Sequence, residues 1–349
     1  MASSGVEIKV GGRRFDGWKS VELTRGIDAL AGFFTVKLTE RWPGQPDHWG
    51  IEGGDACEVL IDGEKVMTGW IDAPSWSLAS ATHPVVITGV EKTTDLVDCS
   101  AIHTPGSWKK RKLEQIATDL AAPFGITVTA KADTGAAFPT FALNQGETVF
   151  EAINRMARLR GVLVVSTPDG DVELIHPGKT PAGYTLAVGD NIEDITFTNR
   201  HADRFSEYLL KGYGADAKSR PKATAKDAGV ARYRPLLIIE DGEASQGSLA
   251  ARAKFEATVR AGRGQQVKVT CSGWRAASGE LFRPDRLVPV RARQVGVEGE
   301  LLLYSVTYRF DESGRRAELA LAPKEAFSLE PIPAPKARRR RATPPPGGL

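Results

Sequence analysis

Residues 281–327 read LFRPDRLVPVRARQVGVEGELLLYSVTYRFDESGRRAELALAPKEAF. The spacing predicts three strands in succession. The first spans 287–293. The second spans 300–310 and places Leu302, Tyr304, Val306, Tyr308 and Phe310 on one face, with Ser305, Thr307 and Arg309 on the other. That period of two belongs to a half-buried strand. Asp311, Glu312, Ser313 and Gly314 turn the chain, and a glycine closing such a turn takes a positive φ at little cost. The third strand, 316–322, alternates Ala317, Leu319 and Leu321 with Glu318 and Ala320. By pattern alone this is an ordinary antiparallel hairpin with one more strand before it.

Toward the N-terminus of that stretch, Val267, Val269 and Cys271 alternate as another strand. Before it, Ala251, Phe255 and Val259 form a helical stripe, and Arg252, Glu256 and Arg260 are spaced for i,i+4 ion pairs. Gly262 and Gly264 end that helix. A short apolar strand is expected at 236–239, and strands at 192–198 and 207–213. Between them, residues 214–234 are polar, basic and weakly patterned, which reads as a long exposed loop.

The first hundred residues carry roughly seven short strands and no clear helical period. They fall at 6–10, 13–15, 21–25, 33–40, 57–61, 65–71 and 85–90, with turns at Gly11-Gly12 and Asp62-Gly63. A closed or nearly closed β-barrel is expected. The period then changes. Leu113, Ile116, Ala117 and Leu120 lie on one helical face, closed by Pro123 and Gly125. Lys109, Lys110, Arg111 and Lys112 precede it, and four cations are unfavourable in a first helical turn. A strand at 126–129, a helix marked by Val149, Ile153 and Met156 and stopped by Gly161, and a hairpin of 162–166 with 172–175 complete a compact α/β module.

The order of these phrases is more specific than any single period. LFRPDRLVPVRA followed by the hairpin ELLLYSVTYRFDESGRRAELALAPKEAF resembles the C-terminal part of the baseplate hub proteins of contractile-tailed phages. Within that family the group formed by phage Mu and its prophage relatives is the nearest, and the likeness covers most of the chain. It is a likeness of pattern and order, not of catalytic residues. It implies a β-rich α+β multidomain fold with two tube-forming β-barrel domains and smaller α/β modules. The expected division is 1–100 for the first barrel and 101–185 for the α/β module. The second barrel takes 186–325, with an α/β piece inserted at about 215–280, and 326–349 is a Pro/Arg-rich disordered tail. The resemblance also implies a homotrimer that joins a six-fold tail tube to a three-fold central spike. Its further partners are baseplate wedge proteins and, as an additional candidate, the tape-measure protein. DNA only passes through the channel, and no stable membrane association is expected. The virion tail baseplate is the expected location, with assembly in the host cytoplasm. The hub of a phage-tail-like bacteriocin or related injection machine is the alternative, and a cell-wall hydrolase a weaker one. A fused spike would add a repetitive β-helix, and the chain shows no such pattern.

Composition fits this reading. The chain has 349 residues, 41% hydrophobic and 26% charged, with 36 glycines and 21 prolines. This is the profile of a globular protein with many turns. A net charge of +3 is too small to mark a nucleic-acid binder. No run approaches the ~20 apolar residues of a membrane span, and MASSGVEIKV has no signal-peptide pattern. Cys57, Cys99 and Cys271 are odd in number and widely spaced, as buried thiols of a reducing compartment would be.

Chemistry is hard to find. His48, His83, His103, His176 and His201 show no metal-ligand spacing. There is no Gly-x-Ser-x-Gly elbow and no phosphate-binding loop. Asp62, Asp169, Asp311 and Glu312 sit where turns need them. No catalytic residue, metal or cofactor is expected, and no enzyme. The strongest charge feature is the run Arg338, Arg339, Arg340 and Arg341 in the tail. These four are the candidate partner-binding residues, suited to an acidic surface on another virion protein or to nucleic acid, with a solvated tail that binds nothing as the plain alternative.

Overall fold

Short turns and alternating burial organise the N-terminal part. The computed structural model describes residues 5–38, 50–77, 84–212, 221–240 and 246–329. Strands β1 (Val6–Val10), β2 (Arg13–Phe15), β3 (Ser20–Gly26), β4 (Phe33–Leu38), β5 (Ala56–Ile61), β6 (Glu64–Trp76) and β7 (Val85–Glu91) pair antiparallel in the order β3-β4-β7-β6-β5-β1-β2. Asp62 and Gly63 turn β5 into β6 with φ of 50° and 82°. Aspartate tolerates the left-handed region because its short polar side chain satisfies the local backbone. The two ends of this path, β2 and β3, are consecutive in the chain. Only residues 16–19 separate them, and Trp18 in that loop is buried in the core. The array curls until a loop, not a ladder, joins its ends.

The module that follows holds α1 (Thr94–Asp98), β8 (Ser107–Arg111), α2 (Leu113–Ala121), β9 (Val128–Ala130), β10 (Phe138–Ala142), α3 (Val149–Arg160), β11 (Leu163–Ser166) and β12 (Val172–Ile175). Leu113, Ile116, Ala117 and Leu120 are buried as their spacing requires, facing Ile153, Met156 and Leu174. Thr148 and Glu151 cap α3 reciprocally, at 3.2 and 2.9 Å. Gly161 ends it with φ of 65°. Lys109, Lys110 and Arg111 of the cationic run form no helical turn: they lie in β8, paired with β10, and Lys112 is the N-cap of α2; neither strand was expected.

The second half contains β13 (Leu186–Ala187), β14 (Ile192–Asn199), β15 (Glu207–Gly212), β16 (Lys222–Lys226), β17 (Pro235–Glu240), α4 (Gln246–Gly264), β18 (Gln265–Ser272), β19 (Arg286–Ala292), β20 (Val297–Asp311) and β21 (Gly314–Ala322). Strands β13-β19-β20-β21-β18-β14 form a second curled array, and a bridge between Val188 and Ile192 brings its ends together. Strands β16-β15-β17 form a separate three-stranded sheet beneath α4. The inserted piece therefore runs from β15 to α4. Strand β18, expected inside the insert, belongs to the large array, and β15, expected in the array, belongs to the insert.

Three further expectations change. Part of the loop expected at 214–234 is β16, and residues 213–220 lie outside the described residues. The inward stripe of α4 is Leu249, Ala253 and Ala257, packed on Tyr208 and Leu210, while Ala251 is exposed and Phe255 half-buried. Strand β20 has a bulge between Leu303 and Ser305. It puts Leu303 on the core face with Val306, Tyr308 and Phe310, and turns Leu302 and Tyr304 to a side cluster with Ile27, Val165 and Ile175.

The two curled arrays, expected as two barrels, are not separate. One edge of β20 is shared: residues 297–303 pair with β19, and residues 305–310 pair with β3 of the first array. One thirteen-stranded sheet and one apolar core run through both halves.

Candidate assembly surfaces and the joints behind them

Polar joints lock the pieces together. Glu91, at the end of β7, is fully buried and takes donors from three places. These are Arg25 of β3 at 2.6 Å, the Gly32 amide at 2.8 Å, and the Ser166 hydroxyl of β11 at 2.8 Å. Burial of a carboxylate is tolerable only when it is paired and hydrogen-bonded in this way. Around this joint, Thr68 donates to the Pro168 carbonyl at 2.9 Å and the Trp70 indole donates to Asp95 at 2.9 Å. Both tie β6 to the α/β module.

A second joint ties the two arrays. Glu64 on β6 meets Arg275 at 2.9 Å and also Arg283. Asp62 meets Arg315 at 3.1 Å and Arg275 at 3.6 Å. Burial alone would raise the Glu64 carboxyl, but the two guanidinium groups hold it below its ordinary range. A third joint lies in the insert, where Arg204 grips Asp227 with two bonds of 2.9 Å. That grip, against the opposing effect of burial, lowers the Asp227 carboxyl.

Two surfaces stand open among the described residues. In the insert, α4 covers one face of the three-stranded sheet. The other face is open and carries Leu237 and Ile239, 50% and 62% exposed, on the edge strand β17, with Tyr233 just before it at 85%. An edge strand with apolar side chains and open backbone groups is a pairing surface unless something covers it. The other surface is a groove of about 620 Å³ between α3, the end of β14, α4 and the C-terminal turn Lys324–Phe327.

Arg338, Arg339, Arg340 and Arg341 lie outside the described residues, as do His48 and His83. His103 stacks on Trp108, with ring centres 4.6 Å apart. Cys57 and Cys271 are buried and Cys99 is exposed. Among the described residues no cluster of His, Cys, Asp and Glu could hold a metal ion. No helix among them is long and apolar enough to cross a membrane. Sequence reading passed over the open β17 face. Its signal was the apolar run from Leu236 to Ile239, which does not alternate because Leu237 and Ile239 on the open face are as apolar as Leu236 and Ile238 on the packed one.

Comparison with known proteins accounts for most of the chain. Residues 5–91 match the family of Mu phage baseplate assembly protein GpP-like, N-terminal, and 93–176 the family of baseplate hub protein gp44-like, second domain. Residues 245–330 match Mu phage baseplate assembly protein GpP, fourth domain. The baseplate hub protein gp44 of Escherichia phage Mu is 37% identical over 97% of this chain and 92% of that protein. The 43 kDa tail protein of prophage MuSo2 from Shewanella oneidensis superposes with a TM-score of 0.86 at 32% identity, covering 93% of this chain and 99% of that one. A tail protein from Neisseria meningitidis shares the fold, with a TM-score of 0.78 at 24% identity over 93% and 98% of the two chains. With these sequences, these three family segments and this arrangement of curled arrays, the chain belongs to the Mu-type phage baseplate hub proteins.

Proposed function

We propose that this chain is the structural hub of a contractile phage tail baseplate, a homotrimeric adapter between the six-fold tail tube and the three-fold central spike. The observation that carries the reading is the pair of curled arrays fused through β3 and β20. Three such chains offer six arrays around one axis and three copies of everything else. A closed ring satisfies every interface, so a three-chain ring meets both symmetries. The joint of Glu64 and Asp62 with Arg275, Arg283 and Arg315 ties each pair of arrays together beside the β3–β20 ladder, as a load-bearing part requires. For this role the strands within 1–100 and 186–325 supply the tube-forming units, and the module that begins at α1 and runs to about 185 stands between them. Ala326 and Phe327, expected in the tail, pack on the body, so the tail begins beyond Leu329. Tail tube, spike, wedge and tape-measure proteins are the partners, and DNA only passes through the channel. The chain assembles in the host cytoplasm and ends in the virion, and it works without catalysis. Arg338 to Arg341 serve as a tether to an acidic neighbour.

Mass photometry of the chain with a coexpressed spike tests the assembly. A species of three chains per spike trimer is expected, and six chains, or none bound, would refute the adapter. Zymography on peptidoglycan is expected to show no clearing, and clearing abolished by a single carboxylate substitution would show an enzyme.

A further inference from the structure

The groove beside α4 has a chemistry of its own. Five arginines line it, Arg158, Arg200, Arg252, Arg260 and Arg263, against three acids, Asp28, Asp203 and Glu256. Glu256 is consumed internally, at 2.9 Å from both Arg252 and Arg260. Arg263 is held by the Ala326 carbonyl at 3.1 Å. Arg158, on the exposed face of α3, and Arg200, just after β14, are exposed, and their side chains form no ion pair among the described residues. Between these cations the lining is apolar: Phe255, Val259 and Phe327, with Tyr304 stacked on Phe327 at 5.1 Å between ring centres.

We infer that this groove docks an acidic, amphipathic peptide segment of another protein. Guanidinium groups bind carboxylates in a planar, two-pronged geometry, and the half-buried rings between them suit apolar side chains interleaved with the acids. A nucleic-acid strand fits less well. Asp28 and Asp203 would face its phosphates, and the aromatic rings are engaged with one another or with the groove wall instead of standing free for bases. The chain's own C-terminal segment is also a poor occupant. Beyond Leu329, which lines the groove, its sequence carries four arginines at 338–341, a charge that matches the arginine-lined wall instead of complementing it. The inference stands on the groove itself and does not depend on the hub reading.

The probe is a short fluorescein-labelled peptide of alternating glutamate and leucine blocks, followed by anisotropy with the full-length chain. Binding is expected, weakening as salt is added. The double variant Arg158→Glu/Arg200→Glu is expected to lose affinity by about tenfold or more. Arg158→Lys/Arg200→Lys should lose less, because charge remains while the two-pronged geometry goes. Both side chains are exposed, so the melting temperature should not move, and this separates loss of binding from loss of fold. Three kinds of result would overturn the proposal. One is a failed peptide assay: no binding by the wild-type chain, or equal binding by the charge-reversed one. The second is a mixed-sequence single-stranded oligonucleotide that binds as tightly as the peptide and loses as much on reversal. The third is much tighter peptide binding after truncation at Leu329, which would make the tail the natural occupant.

Discussion

Glu91 has no contact with water, and its three donors come from a strand, a loop and the neighbouring module. Removing it leaves the Arg25 guanidinium buried without its counter-charge. Glu91→Ala is therefore expected to lose about 3–5 kcal/mol in urea unfolding, and Ser166→Ala about 1 kcal/mol. Equal losses would mean that the carboxylate is not the centre of the joint. Asp227 gives a pH dependence. Its carboxyl is lowered in the folded chain, so its contribution is complete above the ordinary carboxylate value of 3.8 and is lost as pH falls through the lower, folded one. In acid the insert should loosen first, seen as faster amide exchange in α4, and Asp227→Asn should flatten that acid limb. The cysteines divide similarly. Burial pushes the Cys57 and Cys271 thiols up to about 12, whereas Cys99 is exposed. One thiol is expected to react with a disulfide reagent in the folded chain at neutral pH, and all of them after unfolding.

Elements differ in how much of themselves they show in sequence. Strand β21 and helix α2 were legible because each buries one face, and one-sided burial writes a clean period. Strand β20 was legible only in part. Its run Leu301, Leu302, Leu303, Tyr304 is apolar at every position, since both faces are covered there, and nothing in such a run marks where a bulge reverses the sides. Strand β16 reads KATAK, whose buried position is an alanine too small to register as core. The stripe of α4 was misread for a related reason. Alanines face its sheet, and the larger Phe255 lines the groove instead. Val306→Asp is expected to yield insoluble protein, because Val306 is fully buried in the shared core. Thr307 pairs with Thr24 through a 2.8 Å hydrogen bond on the other face, so Thr307→Asp should be milder. In the insert, Leu237→Lys/Ile239→Lys should leave stability within about 0.5 kcal/mol. If β17 is an assembly edge, the same pair should abolish incorporation into baseplates.

At the scale of the whole chain, the two strand-rich regions were legible, but their fusion was not. No local period can announce a ladder between β3 and β20, because its partners are far apart in sequence. Nor could the sequence reveal the groove, whose arginines come from α3, the end of β14 and α4. The ladder has a consequence for how the chain is made. Thr24 and Thr307 stand 283 positions apart, and translation at ~5–20 residues per second separates their emergence by tens of seconds. Throughout that interval β3 leaves the ribosome with one side of its backbone unmatched and its apolar flank bare. Long-range pairing of this kind makes for slow folding, and an open strand invites the same strand of a neighbouring nascent chain on the polysome. Products terminated before residue 297 are expected to aggregate, while the complete chain is soluble. Cells that express this chain should need chaperone capacity in proportion to how fast its message is read.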